Sequence, residues 1–312
     1  MSQRVIFFGT PAIAVSCLQA LIDANIDVVA VVTKPDKPIG RKKQITESDV
    51  KIFAKQHKIL VLQPNKVNEI VDVLIKMSPD LFIVCAFGQL ISERVLKVPK
   101  FGCVNIHTSL LPRWRGGAPI HHAVLHGDKY TGISLMYMIK ELDAGNIIYQ
   151  KQVEIQPTET YRTLHDKLAK LAYGILHNKI NSLFSKNVLS VPQDSNKVTI
   201  AQNITRADEK INWNKTVKQV DAQIRGLYDK PIAYTIYDDL WIKIHQAVPT
   251  TESSLSTPGS IIRIDDQGLY VVCGDQKVLK VIYLQIPGKK VIHVKDLIHG
   301  RHCFKIGKSF TY

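Results

Sequence analysis

The chain of 312 residues carries 41 Lys and Arg against 27 Asp and Glu, a net charge of +14, with 45% hydrophobic and 22% charged residues. This composition excludes a disordered or collagen-like chain and suits two globular domains, each long enough to bury its own core. No apolar run approaches the roughly 18 residues of a membrane span, so no membrane partner is expected. The apolar run at residues 5–8 starts too early to leave room for a signal peptide, and the five scattered cysteines (Cys17, Cys85, Cys103, Cys273, Cys303) contain no C-x-x-C pair. A cytoplasmic protein with reduced thiols is the expectation. The positive surplus attracts anions, and both halves share it, which suits a polyanionic partner touching both.

In chain order, residues 3–110 alternate short β-branched runs with helical stretches. Strands are predicted over 4–8, 27–33, 61–62 and 81–86, and helices over 12–23, 49–57 and 65–77. Thr10-Pro11 reads as an N-cap followed by proline at the first helical position. The alternation predicts a doubly wound, mostly parallel α/β sheet. Next come a strand over 103–107, a loop rich in Gly, Pro and Arg over 111–119, a short helix to about 127, and strands over 133–138 and 147–155. A helix over 160–184, with Leu164, Leu168, Leu171, Ile175, Leu176, Ile180 and Leu183 at helical spacing, closes the first domain, placed at 1–187. The polar stretch 188–206 is expected as a linker. A helix over 215–225 and alternating segments at 233–237, 240–248, 259–265, 268–273 and 278–284 then predict a small C-terminal β-barrel or sandwich domain over 207–312.

The first strand lacks the G-x-G-x-x-G turn that a dinucleotide needs, which argues against a nicotinamide enzyme. Gly307-Lys308-Ser309 resembles only the end of a phosphate loop and lacks its earlier glycine. The chemistry concentrates between residues 102 and 145. Asn105 and His107 are two apart on a predicted strand, so they project from one face while Val104 and Ile106 fill the other. The loop that follows, Ser109 to Pro119, combines prolines, arginines and the adjacent Gly116 and Gly117: rigid, basic and open to close approach. Asp143 stands thirty-six residues beyond His107, beside a glycine turn. Taken singly, Asn105 and His107 also read as a hydrogen-bonded pair and Asp143 as a turn-former. Together they suit acyl transfer to an amine: His107 as general base, Asp143 orienting its ring, Asn105 donating to the developing oxyanion. Cys103 and Ser109 flank the site without a base of their own. No second histidine sits at i+4 of His107, so no metal is expected.

These residues and their surroundings resemble the methionyl-tRNA formyltransferases over nearly the whole chain. The resemblance rests on Phe8-Gly9-Thr10-Pro11, Lys34-Pro35-Asp36, Asn105-x-His107-x-Ser109-Leu110-Leu111-Pro112-Arg113-Trp114-Arg115-Gly116, Leu142-Asp143-x-Gly145 and a basic C-terminal domain with Gly288-Lys289-Lys290. It implies a Rossmann-like formyltransferase domain and an OB-like second domain, and it makes Asn105, His107 and Asp143 catalytic. The formyl donor it implies is 10-formyltetrahydrofolate, bound by Phe87, Gly88, Gln89, Leu90, Ile91, Ser109, Leu110, Leu111, Pro112, Gly116, Gly117, Ile139, Lys140 and Glu141. The acceptor it implies is initiator methionyl-tRNA, contacted by a basic loop over 34–47 (Lys34, Lys37, Arg41, Lys42, Lys43) and by Lys289 and Lys290. Tyr228-Asp229-Lys230-Pro231 departs from the family's Asn-Pro-Trp-Pro, which bears on packing between domains. The same three residues also suit another amine acceptor, such as a nucleotide-sugar or glycinamide ribonucleotide, or water in a formyl-folate hydrolase. A plain RNA-binding module would leave them idle. The basic second domain favours the tRNA, and nothing requires more than a monomer.

Overall fold

The computed structural model describes residues 3–39, 44–300 and 302–311. The chain divides into two compact units: Met1–Pro119, Tyr130–Glu154 and His165–Gln202 form the first, and Ile120–Lys129, Ile155–Leu164 and Asn203–Tyr312 the second. Among the described residues no helix is long and apolar enough to cross a membrane.

The first unit is built on strands β1 (Arg4–Gly9), β2 (Asp27–Val32), β5 (Val61–Leu62), β6 (Leu81–Cys85), β7 (Cys103–His107), β9 (Tyr130–Tyr137) and β10 (Ile147–Glu154). They form one sheet in the order β10-β9-β7-β6-β1-β2-β5. Five strands run parallel, while β9 lies antiparallel to β7 and β10 to β9. The central strands β1, β6 and β7 are buried almost throughout, which is why β1 and β6 read as continuous apolar runs rather than alternating ones. The edge strand β10 is largely exposed and correspondingly polar. A short hairpin, β3 (Lys37–Ile39) with β4 (Gln44–Thr46), stands off the sheet after β2. Two further short strands, β8 (Arg115–Gly116) and β11 (Ile200–Ala201), pair in parallel.

Helix α1 (Ala12–Asp23) buries Ile13, Ala14, Cys17, Leu18 and Leu21 along one stripe. Its N-cap is Pro11, with no side-chain cap; Thr10, expected to cap it, instead donates its hydroxyl to the Phe87 carbonyl at 3.0 Å. Helix α2 (Asp49–Gln56) is capped by Ser48, whose side chain accepts from the Lys51 N–H. The helix expected over 65–77 resolves into a 3-10 turn, Val67–Ile70, and a short α3 (Val71–Lys76); α4 (Glu93–Leu96), α5 (Pro119–Leu125) and α6 (Tyr161–Lys179) follow. The cluster Ile6, Phe8, Val32, Leu74, Phe82 and Phe87 covers one face of the sheet. Each such side chain contributes about 1.5–3 kcal/mol on burial.

The segment 188–206 does not behave as a linker: up to Gln202 it belongs to the first unit, where Val191 bridges Ile147 and β11 pairs with β8. Its polar composition, the reason for expecting a linker, serves hydrogen bonds to other segments. The stretches Ile120–Lys129 and Ile155–Leu164, expected within the first domain, group with the second unit.

The second unit carries α7 (Arg206–Glu209), α8 (Val217–Gly226), α9 (Val294–Ile298) and an antiparallel sheet. Its strands are β12 (Tyr234–Tyr237), β13 (Leu240–Ser253), β14 (Ile261–Asp265), β15 (Gly268–Val272), β16 (Lys277–Gln285) and β17 (Ile292–His293), in the order β12-β13-β16-β15-β14 with β17 on β16. Ser309 bridges to Ser260, beside β14, and Thr311 to Ile236 in β12, so the tail ties together the two open edges of this sheet. Phe304 and Phe310 from the tail join the core around Trp213, whose indole N–H donates to Thr235 Oγ1 at 2.9 Å.

Candidate active site

Asn105 and His107 project from the same face of β7 and are 8% and 6% exposed. Two loops close over that face. One follows the C-terminal end of β7; the other leaves β9 beside the opposite end of β7, where Val104 pairs with Tyr137. They meet through Asp143, whose Oδ2 accepts from the Gly116 N–H at 2.9 Å and whose Oδ1 accepts from Asn105 Nδ2 at 3.3 Å. The three residues named from the sequence therefore converge.

The histidine's tautomer follows from its partners. Nε2 lies 2.8 Å from the Trp114 carbonyl, which can only accept, so Nε2 carries the hydrogen. Nδ1 faces the Asp143 carboxylate, 3.7 Å from Oδ2. The Trp114 carbonyl thus fixes the ring, and Asp143 stands beside its other nitrogen. Asn105 uses one amide hydrogen on Asp143, and its amide carries a second.

Among the residues that fix these loops, Ser134, Gln150 and Thr199 carried no functional signal in the sequence. Ser134, opposite His107 on β9, donates to the Ser109 carbonyl at 2.6 Å and accepts from the Leu111 N–H at 3.1 Å. Gln150 Nε2 donates to Ser134 Oγ and to the Leu111 carbonyl. Ser109 spends its own hydroxyl on the Arg113 carbonyl at 2.6 Å. Thr199 Oγ1 accepts from the Trp114 N–H at 2.9 Å, and the Arg113 guanidinium lies over the Trp114 ring at 4.2 Å. Gly145 lets the second loop double back, since a Cβ there would sit 1.8 Å from the Tyr137 carbonyl oxygen.

The segments expected to hold the formyl donor divide into fold and surface. Phe87 is buried against Phe8, ring centroids 5.4 Å apart, and Ile91 is nearly buried. Gln89 spends its side chain on the Val67 N–H and the Pro64 carbonyl, pinning its own loop. Leu111 is buried; Leu110, Pro112 and Gly116 are half-buried and Gly117 exposed. Leu90 is 83% exposed, and Ile139, Lys140, Glu141 and Leu142 are exposed as well. Met138, directly before Ile139, packs on the cluster that contains Phe87 and Ile91, so the loops carrying these apolar side chains adjoin. Cys103 is no nucleophile: its thiol faces Met138 Sδ at 3.4 Å, and burial pushes its pKa far upward. Among the described residues no three of His, Cys, Asp and Glu stand together to hold a metal ion.

Of the basic residues expected on tRNA, Arg41, Lys42 and Lys43 lie outside the described residues. Lys37 is exposed at the base of the β3–β4 hairpin. Lys34 is half-buried with its ammonium over Gly88, in the loop expected to bind the donor; burial and the neighbouring Lys37 lower its pKa. The hairpin's root is anchored by Asp36, which accepts from Lys51 Nζ at 2.5 Å and from Gln63 Nε2 at 2.8 Å. In the second unit Lys289 and Lys290 are exposed between β16 and β17.

A mixed α/β sheet whose strand β7 brings an imidazole and an amide beside the Asp143 carboxylate is an arrangement suited to moving a small acyl group onto an amine. Residues 3–180 match the Formyl transferase family and residues 203–302 the Formyl transferase C-terminal domain. The chain is 43% identical to the methionyl-tRNA formyltransferase of Malacoplasma penetrans, over 98% of this chain and 96% of that protein. It is 42% identical to that of Staphylococcus aureus, over 98% and 99%. Among solved structures, WlaRD, a sugar 3N-formyl transferase, superposes with a TM-score of 0.66 at 22% identity, over 93% of this chain and 99% of that one. The N-formyltransferase from Helicobacter canadensis gives 0.68 at 18% identity, over 90% and 99%. The chain belongs to the formyl transferase family, in the methionyl-tRNA formyltransferase branch.

Proposed function

We propose that the protein transfers the formyl group of 10-formyltetrahydrofolate to the α-amino group of methionine on initiator methionyl-tRNA. The observation that carries this reading is the convergence of Asn105, His107 and Asp143 on one face of β7, in a chain more than 40% identical over its length to proteins of that name. As the amine nitrogen bonds to the formyl carbon, His107 Nδ1 takes the proton that the nitrogen loses. The Asp143 carboxylate stabilises the resulting imidazolium. Asn105 donates its second amide hydrogen to the oxygen that becomes negative, an interaction worth roughly 10²–10³ in rate. Collapse breaks the bond to N10 of the folate, which receives the proton from His107, leaving tetrahydrofolate and formylmethionyl-tRNA. No protein nucleophile or metal takes part.

The exposed apolar side chains Leu90, Ile139 and Leu142 suit the flat pterin of the donor. Lys37, Arg41, Lys42, Lys43, Lys289 and Lys290 suit phosphate contacts on the tRNA. Every site residue comes from one chain, so a monomer suffices, and the reaction belongs in the cytoplasm. The test is single-turnover formylation of methionyl-initiator-tRNA with 10-formyltetrahydrofolate, beside the His107→Ala variant, in which base catalysis worth typically 10²–10⁴-fold is removed. Folate turnover without formylmethionyl-tRNA would refute the acceptor. Undiminished transfer by the variant would refute the base.

A further inference from the structure

Asp143 is held by more than its carboxylate. Its backbone has a φ of +48°, and its carbonyl and that of Gly145 both accept from the side-chain amide of Gln193, each at 2.8 Å. The oxygen of the same amide accepts from Arg115 Nε at 3.0 Å and Nη2 at 2.8 Å. The chemistry admits one orientation, because backbone carbonyls only accept and a guanidinium only donates. Gln193 is thus joined to both loops that close over β7: to the one carrying Asp143 through its NH2 group, and to the one carrying Gly116 through its oxygen. Residues 199–201 brace the loop carrying Arg115 and Gly116 at the same place, with the Arg115 N–H on the Thr199 carbonyl at 2.9 Å.

We propose that Gln193 is a positioning residue for formyl transfer, acting through Asp143: one neutral amide sets the separation of the Asp143 and Arg115 loops and so aims the carboxylate at His107 Nδ1. The proposal rests on the formyl-transfer reading. Only glutamine meets the requirement. Glutamate keeps the acceptor for Arg115 but turns an oxygen on two carbonyls, asparagine is one methylene short, and methionine fills the space with neither donor nor acceptor.

The experiment compares wild type with Gln193→Met, Gln193→Glu, Asp143→Ala and the double variant Gln193→Met with Asp143→Ala, using initiator methionyl-tRNA and 10-formyltetrahydrofolate. Wild-type turnover tests the reading itself, so its failure is separate from that of the clamp. Both Gln193 variants are expected to lose about 10- to 100-fold in the single-turnover rate at saturation, the scale of a displacement near 1 Å, with KM for either substrate within about threefold. In the Asp143→Ala background the Gln193→Met loss should vanish, since the residue through which it acts is gone. Protection of the Gly116 amide, bonded to Asp143 Oδ2, should fall in both Gln193 variants while global unfolding stays cooperative. The proposal is overturned by a loss that persists undiminished without Asp143, by a change in KM alone, or by full activity in either Gln193 variant. If Gln193→Met does not fold, Gln193→Glu, which keeps the Arg115 arm, decides by its rate and by Gly116 exchange.

Discussion

Gly116 is the position where backbone path and chemistry are most tightly joined, and Gly116→Ala tests that union. Its φ of +116° is a conformation that side chains rarely adopt, and a Cβ there would lie 2.7 Å from the Ala201 carbonyl oxygen. Strain at such a φ costs about 1–3 kcal/mol. Relieving the contact by moving β11 loosens the Arg115–Thr199 and Ala118–Ala201 backbone hydrogen bonds, each worth about 1 kcal/mol. A loss of about 2–4 kcal/mol in the urea unfolding free energy is expected. Because the Gly116 N–H also holds Asp143 Oδ2, the single-turnover rate at saturation should fall by about 10²-fold, as a shift near 1 Å would produce. Stability within about 0.5 kcal/mol of wild type together with a rate within threefold would show that this backbone path is not what aims the carboxylate.

Asn105→Ala should lower the saturated single-turnover rate by roughly 10²–10³ with little change in either KM; a change confined to KM would contradict an oxyanion role. Replacing Lys289 and Lys290 by Ala should reduce the slope of log KM for tRNA against log salt by about two, read from initial rates at several salt concentrations. Hydrogen bonds from Lys51 and Gln63 hold the Asp36 carboxyl below its ordinary range, and those from Lys55 and Lys51 do the same for Glu47. Depressed folded values mean that this stabilisation is complete above the ordinary carboxylate range, about 3.9–4.3, and is lost as pH falls through the lower folded values. Amide exchange over residues 44–50, corrected for intrinsic rates, should therefore accelerate on acidification in wild type, and less steeply in Lys51→Met, which keeps only Gln63 on Asp36 and Lys55 on Glu47. Iodoacetamide at pH 8 should label Cys303 first, because Cys17, Cys85, Cys103 and Cys273 are buried; burial and the nearby Asp275 push Cys273 up to about 12. Labelling of Cys103 ahead of Cys303, seen by peptide mass, would contradict the packing.

Helix α1 falls over the predicted residues because its apolar spacing and flanking proline are local signals. The strands of the parallel sheet read easily for a similar reason: burial on both faces demands uninterrupted apolar runs, and β1 and β6 supply them. Asn105 and His107 were legible because polar groups at i and i+2 on such a strand require a reason. The placement of Lys34 was not legible, since a basic run suggests one shared surface while the chain turns Lys34 back over Gly88. Gln193, Thr199 and Ser134 carried no signal. Composition cannot distinguish a polar side chain that faces water from one that satisfies a distant backbone, and 188–206 looked like tether for that reason.

The pairing of β8 with β11, and of Val191 with Ile147, sets where this protein can be cut and rejoined. A catalytic fragment ending at residue 187, where helical periodicity fades, would discard the partners of Trp114, Arg115 and Gly116. Chimeras that exchange the C-terminal part of the second unit should keep their seam beyond Gln202, which leaves its segments Ile120–Lys129 and Ile155–Leu164 with the first parent. Grafts made upstream of Val191 would carry the other parent's bracing beneath a loop that did not evolve with it.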